Sequence, residues 1–172
     1  MIITLLGYMG SGKSTIGQQL ALVLGYEFID LDTYIEAKEG YTISEIFKNR
    51  GEIYFRKKEH GYLNDIITLN TNTILSLGGG TPCYANNMQL LNANNIISYY
   101  LKLLPGSLVE RLFAEKEHRP LISHLNTKEA LQEFIAIHLF ERQSYYEQAL
   151  HILKSDNLSV KEIVELIVKD LY

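Results

Sequence analysis

The chain has 172 residues, of which 47% are hydrophobic and 21% charged, a composition typical of one soluble globular domain. We therefore predict a single domain over residues 1–172. No apolar stretch approaches the roughly 20 residues that span a bilayer, which argues against membrane insertion. The formal net charge of -4 provides no positive field for a nucleic-acid backbone. The lone cysteine, Cys83, excludes an intramolecular disulfide and predicts a reducing, cytoplasmic location.

Short apolar segments alternate with amphipathic segments along the chain. The apolar segments predict strands at 1–6, 27–29, 73–77, 96–101 and 149–153. The amphipathic segments predict helices at 13–24, 33–38, 44–49, 53–69, 86–94, 105–114, 128–148 and 160–171. This order predicts an α/β fold with a five-stranded parallel sheet flanked by helices, and ligands at the carboxyl ends of its strands.

A phosphate-binding motif lies between the first predicted strand and helix. Residues 7–14, GYMGSGKS, satisfy G-x-x-x-x-G-K-[ST] in the strand–loop–helix context that this motif requires. Its amides and the helix N-terminus would surround phosphate oxygens, Lys13 would add a full charge, and Ser14 could ligate Mg²⁺. The residues predicted to bind ATP here are Gly10, Ser11, Gly12, Lys13, Ser14 and Thr15.

Two carboxylates follow the second predicted strand, at Asp30 and Asp32. Alternate residues at a strand end can place one carboxylate near a metal and the other near an acceptor hydroxyl. An aspartate before a helical segment also makes a good helix N-cap. The sequence leaves both interpretations open.

Two arginines and three glycines are ambiguous when each is taken alone. Arg56 and Arg142 lie on predicted helices, where a solvated charge is the usual interpretation. Gly78, Gly79 and Gly80 follow a strand, where they either let a ligand approach the backbone or form a flexible turn. The five histidines lack the spacing of a transition-metal site.

Taken together, these motifs resemble the shikimate kinase family from the first strand to Arg142. The family's G-x-x-G-x-G-K-S-T is found at 7–15, its D-x-D at 30–32 with Glu36 one helical turn later, its G-E-x-x-F-R-x-x-E at 51–59, its triple glycine at 78–80 and its lid R-P-L at 119–121. Two departures are local. Residues 142–147 read RQSYYE where the family usually has R-N-P-L-Y-E, and Leu77 stands where many members have threonine.

The resemblance implies a P-loop kinase fold with MgATP and shikimate as ligands. A substrate-binding region at about 32–62 and a lid at about 114–126 would close over them. Lys13, Asp32 and Arg119 would be catalytic, with Asp32 orienting or deprotonating the 3-hydroxyl and Arg119 meeting the phosphates. Asp30 would hold Mg²⁺ through water beside Ser14, and Arg111 would stack on the adenine. The residues implied to bind shikimate are Asp32, Arg56, Gly78, Gly79, Gly80 and Arg142.

Two rival functions follow from the same phosphate loop. Another small-metabolite kinase, such as a gluconate kinase, would share the loop without needing the paired arginines and the triple glycine. A GTP-dependent switch or an inactive shikimate-binding regulator belongs to a different class. The chain lacks an N-K-x-D guanine signature and keeps Lys13, Ser14, Asp30 and Asp32, which favours an active kinase, predicted to be a monomer.

Overall fold

Five short strands form a parallel sheet in the computed structural model, which describes residues 1–69, 71–94, 96–119 and 121–172. The strands are β1 Ile2–Leu6, β2 Glu27–Asp30, β3 Thr73–Ser76, β4 Ile97–Lys102 and β5 His151–Lys154. Their order across the sheet is β2-β3-β1-β4-β5. All four pairings are parallel, which confirms the predicted sheet.

Helices cover both faces of this sheet. They are α1 Lys13–Leu24, α2 Leu31–Glu39, α3 Ile43–Arg50, α4 Glu52–Thr68, α5 Asn87–Ala93, α6 Pro105–Glu115, α7 Lys128–Tyr146 and α8 Val160–Leu171. Within the described ranges, none of them is both long enough and apolar enough to traverse a bilayer.

Alternation along the strands directs side chains into two separate cores. On β1, the buried side chains of Ile3 and Leu5 pack with α1 and α8, whereas Leu6 joins the larger core on the opposite face. Parallel strands covered on both faces bury both sets of side chains, which explains their continuous apolar character. The loops that follow β1, β2 and β3 consequently emerge at one edge of the sheet.

Several element boundaries differ from the predicted ones. Helix α7 ends at Tyr146 and β5 begins at His151, because 147–149 form a turn and the N–H of Leu150 donates to the Ser98 hydroxyl at 2.9 Å. Two short 3₁₀ turns, Thr81–Cys83 and Lys116–His118, were not predicted. The first of them begins directly after Gly80.

Candidate active site

The loop between β1 and α1 turns sharply at the start of the helix. Gly12 precedes α1 with a φ of 92°, a left-handed conformation that residues with a side chain rarely adopt. The first amide groups of α1 have no partners within the helix, and the helix dipole places partial positive charge there. The loop therefore has the local structure of an anion-binding site.

Lys13 extends back across this loop. Its Nζ donates to the carbonyl oxygens of Gly7 at 2.9 Å and Tyr8 at 3.0 Å. Burial lowers the pKa of Lys13 to about 8, although the nearby Asp32 and Asp30 carboxylates oppose this shift. Because its hydrogen-bond partners are neutral carbonyls, the ammonium charge is not neutralised by them and is available to an anion in the loop.

Asp30 has two structural roles at once. The Ser14 hydroxyl donates to Asp30 Oδ2 at 2.7 Å. The other oxygen, Oδ1, accepts from the N–H groups of Asp32 at 3.1 Å and Thr33 at 3.4 Å, which makes Asp30 the N-cap of α2. The two interpretations left open by the sequence are thus compatible, because one oxygen caps the helix and the other faces the loop.

The Ser14 and Asp30 pair fits a hard divalent cation. Both residues line the cavity in front of the loop, and Mg²⁺ in nucleotide sites binds one or two protein oxygens together with phosphates and waters. Among the described residues, no cluster of three or more His, Cys, Asp or Glu side chains could hold a metal. The pair therefore suits an ion that arrives with a nucleotide.

Asp32 lies in the first turn of α2 rather than on β2. The expected alternation of strand residues is therefore wrong, since the chain turns from strand to helix between Asp30 and Asp32. Burial raises the pKa of Asp32 to about 6, with further upward contributions from Asp30, Glu59 and Glu36 and a downward one from Lys13. A carboxyl group with such a pKa is suited to accepting a proton near neutral pH.

Two adjoining cavities meet at Asp32. The loop cavity, about 560 Å³, lies in front of the phosphate loop. The arginine cavity, about 350 Å³, contains Arg56 and Arg142. Five residues line both cavities: Met9, Asp32, Gly78, Gly79 and Arg119. A carboxylate and a guanidinium thus stand where a ligand in one cavity would meet a ligand in the other.

Arg56 is held in the arginine cavity by carboxylates and aromatic rings. Its Nη1 donates to Glu59 Oε2 at 2.9 Å, and its Nε lies 3.4 Å from Glu52 Oε1. Glu59 is only 1% exposed and accepts from the Thr81 hydroxyl at 2.6 Å. The guanidinium also lies 4.0 Å from the centroid of the Tyr84 ring. These contacts fix the orientation of its remaining N–H donors.

The triple glycine at 78–80 makes room for the side chains of neighbouring site residues as well as for a ligand. A Cβ on Gly78 would lie 2.8 Å from Asp32 Oδ1, and one on Gly80 would lie 2.7 Å from Arg56 Nη2. The absence of these two Cβ atoms therefore lets Asp32 and Arg56 approach the backbone after β3. Gly79 stands between the two cavities, beside the guanidinium of Arg142.

Arg142 lies in the arginine cavity despite the altered residues 143–145 that follow it. It lies beside Tyr146, whose buried hydroxyl donates to Gly79 O at 2.6 Å. Its guanidinium also lies 5.7 Å from the centroid of the Tyr8 ring. Tyr146 matches the tyrosine of the family pattern, so the departures at 143–145 have not displaced the arginine.

Arg119 and Arg111 border the loop cavity. Arg119 donates to Glu115 Oε2 at 2.8 Å, and Arg111 donates to the Gly10 carbonyl at 3.3 Å. In the expected lid at 114–126, Ile122 is fully buried and anchors the segment to the larger core. Pro120 of the predicted lid motif lies outside the described residues.

Ser11 is the predicted loop residue that does not line the cavity. Its side chain is 1% exposed, and its N–H donates to Tyr8 O at 3.2 Å. The other predicted site residues line one or both cavities: Gly10, Gly12, Lys13, Ser14, Thr15, Asp30, Asp32, Arg56, Gly78, Gly79, Gly80, Arg111, Arg119 and Arg142.

Sequence reasoning missed the apolar wall of the arginine cavity and the tyrosines beside its arginines. The apolar wall consists of Met9, Ile43, Phe47, Phe55 and Leu121. Tyr8, Tyr84 and Tyr146 lie beside the arginines. Of these three tyrosines, only Tyr146 could have been found from the sequence. It follows Arg142 by four positions on the same predicted helix, and residues with that spacing share a helix face.

The chain has an α/β fold with a parallel sheet, a phosphate loop, and an adjoining cavity with a carboxylate at the junction. Together these features define a P-loop phosphotransferase. Residues 9–172 match the family model described as shikimate kinase. The shikimate kinase of Flavobacterium johnsoniae is 48% identical over 95% of this chain and 94% of that protein. The chain belongs to the shikimate kinase family.

Other relatives agree in sequence and in structure. The shikimate kinase of Flavobacterium psychrophilum is 45% identical over 99% of this chain and 98% of that protein. The crystal structure of the Bacteroides thetaiotaomicron shikimate kinase has a TM-score of 0.92 at 35% identity, covering 99% of this chain and 98% of that chain. A shikimate kinase of Acinetobacter baumannii, solved in complex with shikimate, has a TM-score of 0.85 at 32% identity, with coverages of 99% and 92%.

These matches confirm the resemblance drawn from the motifs and the P-loop kinase fold that it implied. They do not test the role of any single residue in this chain. The assignments of Asp32, Arg56, Arg119 and Arg142 to particular ligand groups therefore stay predictions.

Proposed function

We propose that the chain transfers the γ-phosphoryl group of ATP to the 3-hydroxyl of shikimate, giving shikimate 3-phosphate and ADP for the biosynthesis of aromatic amino acids. The observation that carries this proposal is the meeting of the two cavities at Asp32 and Arg119. ATP occupies the loop cavity and shikimate occupies the arginine cavity, so that donor and acceptor meet beside a carboxylate and a guanidinium.

The donor is bound through charge and backbone amides. Lys13 and the amides of the first turn of α1 contact the β- and γ-phosphates. Ser14 would hold Mg²⁺ directly and Asp30 would hold it through water. When bound, Mg²⁺ neutralises phosphate charge. Arg111, beside the loop at Gly10, lies against the adenine.

The acceptor is bound by matched charge and hydrogen-bonding groups. Shikimate carries one carboxylate and three ring hydroxyls, which suit two arginine forks and one aspartate. Arg56 and Arg142 bind the carboxylate, the backbone of Gly78–Gly80 lines the ring, and the apolar wall of the arginine cavity packs against it. Asp32 accepts a hydrogen bond from the 3-hydroxyl.

Positioning and electrostatic stabilisation account for the chemistry. The 3-hydroxyl oxygen bonds to the γ-phosphorus, the bond to the β–γ bridging oxygen breaks, and the hydroxyl proton passes to Asp32. Lys13 and Arg119 stabilise the charge on the transferring group. Closure of the lid at 114–126 over the cavities excludes water, which would otherwise turn the kinase into an ATPase.

The acceptor specificity is tested by a coupled assay of ADP formation. We expect ADP to form at a substantial rate only with shikimate, and ³¹P NMR to show one phosphomonoester product in equal amount. Gluconate and water serve as control acceptors. Faster ADP formation with gluconate would support the rival metabolite kinase, and shikimate-independent hydrolysis of GTP would support a switch protein.

Arg56→Lys is expected to raise the KM for shikimate roughly tenfold to a hundredfold. Lysine keeps the charge but loses the bidentate fork, and a hydrogen bond to a charged group contributes about 1.5–3 kcal/mol. The KM for ATP should change less than about twofold, since Arg56 does not line the loop cavity. Steady-state kinetics with each substrate varied in turn provide the measurement.

Arg50→Lys is the matched control for this substitution. Arg50 ends α3 and lies over the Tyr54 ring, outside both cavities, so its exchange should leave both KM values unchanged. An equal rise of both KM values in Arg56→Lys would instead show that Arg56 stabilises the fold, through its ion pair with the buried Glu59, and does not bind shikimate.

The proposal also includes a cytoplasmic, monomeric enzyme with residues 1–172 as one domain. The substrate-binding region at 32–62 is supported by the contact of Glu36 Oε1 with the N–H of Ile43 at 2.8 Å, which joins α2 to α3. The lone cysteine supports the location. Light scattering after size-exclusion chromatography tests the oligomeric state.

A further inference from the structure

The second residue of the phosphate loop joins that loop to a distant helix. Tyr8 is only 1% exposed, and its hydroxyl lies 3.1 Å from Nδ1 of His138 on α7. The two rings meet edge to face, with centroids 6.2 Å apart and an interplanar angle of 61°. The proposed chemistry assigns no role to either side chain, although both are adjacent to the site.

Tyr8 contacts groups from both halves of the site. Its carbonyl oxygen accepts from Lys13 Nζ at 3.0 Å, and its ring lies 5.7 Å from the guanidinium of Arg142. His138 and Arg142 are four residues apart on α7 and therefore share one face of that helix. A single tyrosine thus connects the phosphate loop with the helix that carries an arginine of the arginine cavity.

Arg142 depends on tyrosines for its orientation. In the part of the chain that the structure describes, no carboxylate lies within ion-pair distance of it, whereas Arg56 is paired with both Glu52 and Glu59. The guanidinium of Arg142 lies beside the hydroxyl of Tyr146, and the Tyr8 ring offers its electron-rich face. Without ion pairing, the Arg142 charge is available to an anion, and these tyrosine contacts help to set its position.

The protonation states suit a persistent hydrogen bond between Tyr8 and His138. Burial raises the pKa of Tyr8 to about 12, so its phenol stays neutral. Burial, together with the Arg142 charge, lowers the pKa of His138 below its usual value. A neutral phenol and a neutral imidazole can share a hydrogen bond in either tautomer of the histidine.

We propose that Tyr8 and His138 are positioning residues for Arg142. Their hydrogen bond fixes the Tyr8 ring against α7, and the ring sets the distance between the Arg142 guanidinium and the phosphate loop. This inference rests on the proposed function, in which Arg142 binds the shikimate carboxylate. Small displacements of a binding group weaken productive geometry strongly, so loss of the hydrogen bond should affect the acceptor more than ATP.

Steady-state kinetics of Tyr8→Phe and His138→Leu test the proposal. Each variant removes the hydrogen bond, and Tyr8→Phe keeps the ring beneath Arg142. We expect each to raise the KM for shikimate roughly threefold to tenfold, the effect of one hydrogen bond, with the KM for ATP changed less than about twofold. The double variant should be no worse than either single one, since both remove the same interaction.

Two further variants separate positioning from general stability. His138→Asn places an amide near the position of Nδ1 and should restore the KM for shikimate to within about twofold of the wild type. Phe140→Ala, at a residue of α7 that is 86% exposed, should leave both KM values unchanged. In an Arg142→Ala background, Tyr8→Phe should have no further effect on the KM for shikimate.

Three results would overturn the inference while leaving the proposed function intact: an unchanged KM for shikimate in both Tyr8→Phe and His138→Leu, equal rises for the two substrates, or a full effect of Tyr8→Phe without Arg142. If Tyr8→Phe fails to fold, the comparison of His138→Leu with His138→Asn still decides the question. A wild-type protein that forms no ADP in response to shikimate would overturn the proposed function and this inference with it.

Discussion

Lys13→Ala is expected to lower kcat roughly 10²- to 10³-fold, the loss typical of removing one hydrogen-bond donor that stabilises charge in a transition state. The Lys13 ammonium is held by two neutral carbonyls, at 2.9 Å and 3.0 Å, so its charge is available to the transferring phosphoryl group. Burial already lowers its pKa to about 8, which means that the folded protein holds the charged form at an energetic cost. Single-turnover formation of shikimate 3-phosphate gives the measurement.

The fold should tolerate this substitution. Removing a buried ammonium relieves its desolvation, so the midpoint of thermal unfolding should not fall by more than a few degrees. Lys161→Ala is the matched control, because it removes the same charge from a side chain that is 86% exposed on α8. Near-normal turnover in a folded Lys13→Ala protein would refute the assignment of the loop.

The phosphate loop was predictable because its information is local. Consecutive residues at 7–14 set the turn, the helix start and the lysine, and the neighbouring strand and helix place them at the sheet edge. Asp30 was less certain, since one residue type serves as both helix cap and metal ligand. The structure shows that these alternatives do not compete, because each oxygen of Asp30 has its own partners.

The arginine cavity was not predictable from local patterns. Arg56 and Arg142 lie on different helices, and periodicity alone does not distinguish a site arginine from a solvated one. Only the resemblance to a family brought them together in advance. The placement of Arg56 depends on contacts from outside its own helix, such as the space left by the missing Cβ of Gly80 and the ring of Tyr84. Hydrophobic periodicity along the sequence does not predict such contacts.

Asp32→Asn is expected to lower kcat roughly 10²- to 10⁴-fold, the usual contribution of a general base, while the affinity for ATP changes little. Asparagine has nearly the same shape and fits beside Gly78, where Asp32 Oδ1 would lie 2.8 Å from a Cβ. It can donate or accept a hydrogen bond but cannot take the proton of the 3-hydroxyl. Kinetics for turnover and calorimetry for ATP and shikimate separate the two effects.

The pH dependence of the wild-type enzyme should report the same carboxyl group. The pKa of Asp32 is raised to about 6, so kcat/KM for shikimate should fall as the pH drops through about 6 and the base becomes protonated. The residual activity of Asp32→Asn should not show this decrease below about pH 6. Asp65→Asn, on the exposed side of α4, removes one negative charge elsewhere and should keep the wild-type profile.

The Asp32→Asn substitution should raise the thermal stability of the protein although it lowers its activity. The folded pKa of Asp32, about 6, lies above its ordinary value of 3.8, so the stability of the folded protein that comes from the protonated carboxyl is present at low pH and is lost as the pH rises through about 6. At pH 7.5 the uncharged Asp32→Asn variant should therefore unfold at a higher temperature than the wild type, and the difference should shrink towards pH 4. If the Asp32→Asn variant were both destabilised and fully active, Asp32 would be a structural residue and would not be the base that accepts the proton of the 3-hydroxyl.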